Sequence, residues 1–143
     1  MFIPEIPNNS LTEEITQIVE LCNKLKPDYG DNNFNFYPPA NNDDIFEWEK
    51  KNKILLPNQL KEWLNFSNGY DIITERLLNL NSFIVNHPEI DDDLVIIGST
   101  HGESLCFSKM NFNIVRFDYK ETRRYTDFCA FLRETLIRSL KKG

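Results

Sequence analysis

The sequence predicts an α+β fold: an antiparallel β-sheet meander packed with an N-terminal helical pair or trio and a C-terminal helix. Three observations carry that expectation. Apolar residues recur at helical spacing through residues 11–25 and again around 45–64. From Tyr70 to Phe117 the pattern changes to short aliphatic runs separated by turn-forming residues, the mark of strands joined by hairpins. Helical spacing then returns at residues 126–140, and helices, strands and a helix in that order spell α+β. The 143 residues suit a single domain, 41% hydrophobic and 13% aromatic, with ample material for a core.

Ser10-Leu11-Thr12-Glu13 reads as a capping box, and Leu11, Ile15, Ile18, Val19, Cys22 and Leu25 then fall on one helical face. Pro27 is expected to stop this helix. Residues 28–42 read as a connection rich in Asn, Asp and aromatics that ends on Pro38-Pro39. Asn42 is an N-cap candidate for the second helix, with Asp43 and Asp44 favouring the positive end of its dipole. Pro57 suits the first position of a third helix, whose buried stripe is Leu60, Trp63 and Leu64. Ser67-Asn68-Gly69 terminates it, with Asn68 or Gly69 able to take the left-handed conformation.

Strands are expected at Ile72-Ile73, at Leu77 to Leu80, and at Leu94 to Ile97, where apolar residues on both faces indicate a central strand. A helical turn is read around Ser82 to Asn86. Turns at Thr100 to Glu103 and Ser108 to Asn111 lead into Leu105 to Phe107 and Asn113 to Phe117. The last helix is expected from about Thr126 to Leu140, burying Phe128, Phe131, Leu132 and Leu136.

Charge narrows the function. The chain carries 22 acidic and 16 basic residues, a net charge of -6, which disfavours binding to nucleic acid or an anionic membrane. No apolar run reaches the length of a membrane span, and Met1 to Glu5 lack the features of a secretory signal, so the expected location is cytoplasmic. The balance is uneven: residues 1–114 hold 8 basic and 18 acidic side chains, residues 115–143 hold 8 basic and 4 acidic. Cations in the last helix complement its dipole.

Chemistry-bearing patterns are few. Cys22, Cys106 and Cys129 are scattered and read as small buried hydrophobes; with only His87 and His101 beside them, no metal site is expected. Walker, dinucleotide, zincin and nucleophile-elbow patterns do not occur. His101 lies five residues before Cys106, but alternation along a strand turns Cys106 towards the core. The expectation is a protein that is not an enzyme and takes no cofactor. Asp91-Asp92-Asp93 is the densest charge cluster; it reads as a solvated loop, a contact for a basic partner, or a hard-cation site without the spacing of a calcium loop. Phe34, Phe36 and Tyr37 are a recognition patch or aromatics packed over a helix pair, and Trp48 and Trp63 are core residues or a ligand platform.

One run of signals has a known counterpart. Pro38-Pro39-Ala40, then Ile45, Trp48 and Glu49, then Leu56-Pro57, Leu60, Trp63-Leu64 and Asn68-Gly69 resemble the SUKH superfamily, which includes bacterial immunity proteins and fungal cell-wall glucan synthesis regulators. The resemblance covers residues 38–136, with residues 1–37 forming an N-terminal helix and connection. It implies an α+β, SUKH-like fold without catalytic residues. For bacterial members it implies toxin neutralisation: tight occlusion of a polymorphic toxin, often a nuclease, whose basic active site would attract an acidic protein. Asp43, Asp44, Asp91, Asp92 and Asp93 are the candidate contacts on electrostatic grounds. Ile45, Trp48, Glu49, Leu56, Pro57, Trp63, Asn68 and Gly69 match the family motif and are expected to act structurally. The expected partner is a protein, a cognate basic toxin domain met by a monomer. The alternative is a regulatory scaffold of the glucan synthesis regulator type.

Overall fold

A computed structural model describes residues 1–143. Seven strands form one sheet in sequence order, each antiparallel to the next: β1 (Phe34–Phe36), β2 (Tyr70–Ile72), β3 (Glu75–Leu77), β4 (Leu94–Thr100), β5 (Glu103–Ser108), β6 (Ile114–Phe117) and β7 (Glu121–Tyr125). The α+β meander expected from the sequence is therefore the observed architecture. Helix α1 (Thr12–Tyr29) packs along the C-terminal helix, while α2 (Asn42–Asn52) and α3 (Asn58–Leu64) sit between β1 and β2 in the chain. The C-terminal helix begins as α4 (Phe128–Phe131), widens into a π-helical segment (Leu132–Ile137) and resumes as α5 (Arg138–Lys142).

The sheet has two buried faces of unequal size. Val95, Ile97, Leu105, Phe107 and Ile114 join the helices in a core of 33 residues, so this face carries most of the apolar burial. Trp63 is its aromatic centre, meeting Phe66, Tyr70 and Phe128 edge-on at 5.3–6.2 Å between ring centroids. Leu94, Ile96, Cys106, Val115 and Phe117 form a smaller cluster on the opposite face, beneath Leu78 and Ile90. Double-faced burial of β4 explains its unbroken aliphatic run. Because β3 has three residues and β4 seven, Ile84 completes the part of β4 that β3 leaves unpaired by exchanging backbone hydrogen bonds of 3.0 Å with Ile96.

Several local signals resolve differently from their sequence reading. Ser10 does not cap α1: its backbone N–H and hydroxyl donate to the Glu62 carboxylate at 2.7 and 2.6 Å. A charged acceptor supplied by α3 outcompetes Glu13 for Ser10. Asn9 and Thr12 close the helix start instead, through Leu11 N to Asn9 Oδ1 and Asn9 N to Thr12 Oγ1, both 2.8 Å. Pro27 is tolerated inside the last turn of α1, and Gly30, at φ +86°, ends the helix with its N–H on Lys26 O. The N-cap of α2 is Asn41, whose Oδ1 accepts from Asp44 N at 2.8 Å, rather than Asn42. Pro57 precedes α3 as its cap residue, offering its carbonyl to Lys61 N at 3.1 Å.

Strand limits shift for similar reasons. Residues 28–42 contain β1, and Phe34 and Phe36 are buried as packing residues. Ile73 lies in the β2–β3 turn at φ +58°, and Leu80 belongs to a 3-10 turn (Leu80–Ser82) that replaces the helical turn expected around Ser82 to Asn86. The last helix starts at Phe128, capped by Asp127 Oδ1 on Ala130 N at 2.8 Å. Strand β7 was not expected; its residues Glu121 to Arg124 are exposed, and this polar surface blunts the sheet edge against unwanted pairing.

Candidate partner-binding surface

The motif residues form a brace around α2 and α3. Ile45 and Trp48 are buried on α2, and Trp48 meets Phe83 edge-on at 5.9 Å. Glu49 Oε2 accepts from Leu56 N at 2.8 Å and lies 3.1 Å from Lys61 Nζ, so one carboxylate holds the link between the helices. Leu56 and Trp63 are fully enclosed. The third helix ends at Leu64, earlier than the Ser67-Asn68-Gly69 stop expected from the sequence, because its C-cap is Asn65. Asn68 Oδ1 instead accepts from Leu80 N at 2.8 Å, tying the loop between α3 and β2 to the chain beyond β3. Gly69 stands at φ +102°, where an added Cβ would lie 2.6 Å from Leu77 O, so no side chain fits.

This brace lines two adjoining hollows that share Asn68 and Asn81. One, of about 480 Å³, runs past Ala40, Asp44, Trp48, Lys51 and Phe83; the other, of about 680 Å³, runs past Tyr37, Pro38, Pro39, Asp71 and Arg76. Tyr37 donates its hydroxyl to the Asp71 carboxylate, which also pairs with Arg76 at 2.7 Å. That hydrogen bond, with some burial, pushes the Tyr37 phenol up to about 12 and keeps it neutral. Asp44 thus stands on a recessed surface, and Asp43 is exposed beside it in the first turn of α2.

The acidic run before β4 divides. Asp91 and Asp92 are exposed. Asp93 is engaged internally: it accepts from the Ser108 hydroxyl and from Met110 N at 3.0 Å, and its backbone carbonyl accepts from Lys109 N at 2.8 Å. The β5–β6 turn is therefore pinned against the acidic loop, and it carries Met110 at 85% exposure together with Phe112 at 38%. Free carboxylates next to exposed apolar side chains suit a protein contact, because the apolar groups supply burial and the charges supply orientation. Asp43 and Asp44 belong to a different element, the first turn of α2.

His101 and Cys106 are not brought together. His101, at φ +51°, occupies the β4–β5 turn; its N–H donates to Glu75 Oε2 at 3.0 Å and its Nδ1 lies 3.1 Å from Thr100 Oγ1. Cys106 points into the smaller cluster on the opposite sheet face, where burial pushes its thiol up to about 12. Glu75 is the functional-looking residue that the sequence did not single out. It is buried at the centre of this turn, accepting also from the Thr100 hydroxyl.

No helix is long and apolar enough to cross a membrane. Comparison with individually characterised proteins gives no match. The model of the SMI1 / KNR4 family (SUKH-1) matches residues 39–138, from the Pro-Pro step through the sheet to the start of α5. The motif brace and strands β2 to β7 lie within the matched span, and the chain belongs to the SMI1 / KNR4 (SUKH-1) family.

Proposed function

We propose that this protein is a non-enzymatic, cytoplasmic protein-binding domain that acts as an immunity protein, neutralising a basic toxin domain by occlusion. A nuclease fits best among toxins, since a site built to hold phosphates is cationic and attracts a chain of net charge -6. The carrying observation is the acidic loop in which Asp91 and Asp92 are exposed while Asp93 holds the turn that carries exposed Met110. Asp43 and Asp44 add a second acidic edge above the hollow lined by Trp48. Family membership supports a binding role.

Affinity capture from lysate of the source organism, at low and physiological salt, tests the reading. Stoichiometric recovery of a basic toxin domain, with loss of toxicity when the two are co-expressed, is the expected result. Recovery of wall-synthesis or signalling proteins would replace it with the regulatory scaffold.

A further inference from the structure

A second, oppositely charged feature lies at the other end of the β5 hairpin. A cavity of about 220 Å³ opens between the sheet and the C-terminal helix, and none of its lining residues is hydrophobic. Arg116 and Arg123 reach it from β6 and β7, Glu134 and Thr135 from the π segment, Arg138, Ser139 and Lys142 from α5, and His101 from the β4–β5 turn. Two of the cations are answered within the chain: Arg116 pairs with Glu103 at 2.6 Å and Arg123 with Glu134 at 3.2 Å. Arg138 and Lys142 have no carboxylate within 4.0 Å. In a chain with six more acids than bases, two unanswered cations thus face one recess with two further guanidiniums beside them.

The backbone is shaped around this recess. Residues four apart drift past a full turn in an α-helix, but a π turn, closed i→i+5, brings four residues short of one. The π segment Leu132–Ile137 therefore offsets the drift and keeps Glu134, Arg138 and Lys142 on one face. His101 takes the left-handed backbone of the tight β4–β5 turn, its N–H held by the buried Glu75 carboxylate, and its Nε2 lies 3.4 Å from Ser139 Oγ. Four cations, two hydroxyls and an imidazole converge there against a single carboxylate, Glu134, which Arg123 already holds, and without any apolar wall. That balance favours an oxyanion. The volume is below that of pockets enclosing whole drug-sized ligands, so the recess suits a single headgroup.

We propose that this cavity binds the phosphate group of a small-molecule ligand, with Arg138 and Lys142 as the principal contacts, Ser139 as a hydroxyl donor, and Arg116 and Arg123 completing the cationic wall. The site is independent of the toxin-binding reading.

Nuclear magnetic resonance titration of the full chain with inorganic phosphate, at ionic strength held constant with chloride, tests it. Saturating shifts confined to His101, Ser139, Lys142 and the Nε–H signals of Arg116, Arg123 and Arg138 are expected, with diphosphate binding more tightly. The double variant R138Q/K142Q should weaken binding at least about tenfold while leaving distant signals in place. S139D, which puts a carboxylate in the recess, should abolish it. Linear, unsaturated shifts, or equal binding by wild type and both variants, would overturn the proposal. So would shifts caused by an acidic peptide and not by phosphate, which would make the recess a peptide-docking surface.

Discussion

Asp93 accepts the Ser108 hydroxyl across the open end of the β4–β5 hairpin, and the same carboxylate receives Met110 N from the following turn. One side chain of a three-aspartate run is thereby a structural clamp while its two predecessors are free. D93A should lower stability by about 2 kcal/mol, the cost of orphaning donors to a charged acceptor, read as a shift in the urea midpoint. D91N/D92N should stay within about 0.5 kcal/mol of wild type. If the loop steers a basic partner, that double variant should slow association and flatten its salt dependence in stopped-flow measurements. Unchanged association kinetics would return Asp91 and Asp92 to plain solvated positions.

Glu49 joins α2 to α3 through Leu56 N and Lys61, and its side chain is largely shielded from water. E49A should cost roughly 1–3 kcal/mol, because a buried backbone donor loses its acceptor. E49Q keeps that acceptor and loses only the ion pair, so its midpoint should fall between the two. Equal loss from both substitutions would show that the charge, not the Leu56 hydrogen bond, matters.

The three thiols should separate by reactivity. Burial pushes Cys22 and Cys106 up to about 12, while Cys129 is half-buried and also raised, chiefly by burial. In native protein at neutral pH, a thiol reagent should label Cys129 first, with the other two slower by on the order of tenfold or more. All three should react together in denaturant. Rapid native labelling of Cys106 would contradict its place under the outer sheet face.

Glu103 provides a pH signature. Burial works against its ionised form, yet the polar surroundings at Thr122 and the hydrogen bond and charge of Arg116 hold its carboxyl below the ordinary 4.5. A depressed folded-state value stabilises the fold above about pH 4.5 and is lost as pH falls through that depressed value. E103Q should therefore be less stable than wild type at pH 7 by about 1 kcal/mol, and the two should converge in acid. A constant gap down to acid unfolding would remove the ion pair from the account.

The elements most legible in the sequence are those whose signals are local. Asn41 to Asp44 and Leu56-Pro57 mark helix starts within a residue because caps and prolines act on their immediate neighbours, whereas α3 already ends at Leu64 and Ser67-Asn68-Gly69 form the loop beyond it rather than its stop. Strand β7 was hidden because it is an edge strand with four exposed residues, and pairing with β6 rather than alternation makes it a strand. Ser10 misled for the same reason, since its partner Glu62 is 52 residues away. At the candidate site, the acidic run was visible but its division was not, because Ser108 comes from another strand. The basic excess after residue 114 was legible too; its convergence on one recess depends on the π turn and on His101 arriving from the β4–β5 hairpin.

The order of the sheet has a kinetic consequence. Strands paired with their sequence neighbours close short loops, so β4 to β7 can zip together by local steps. The terminal helices obey the opposite rule: Glu14 meets Arg133 and Tyr29 meets Gly143 across more than a hundred residues. Docking of α1 on the C-terminal helix is therefore the step with the largest closure entropy until the meander has drawn the ends together. Core truncations in α1, such as Ile18→Ala, should speed unfolding and leave the refolding rate nearly untouched, whereas Leu105→Ala in the meander should slow refolding itself.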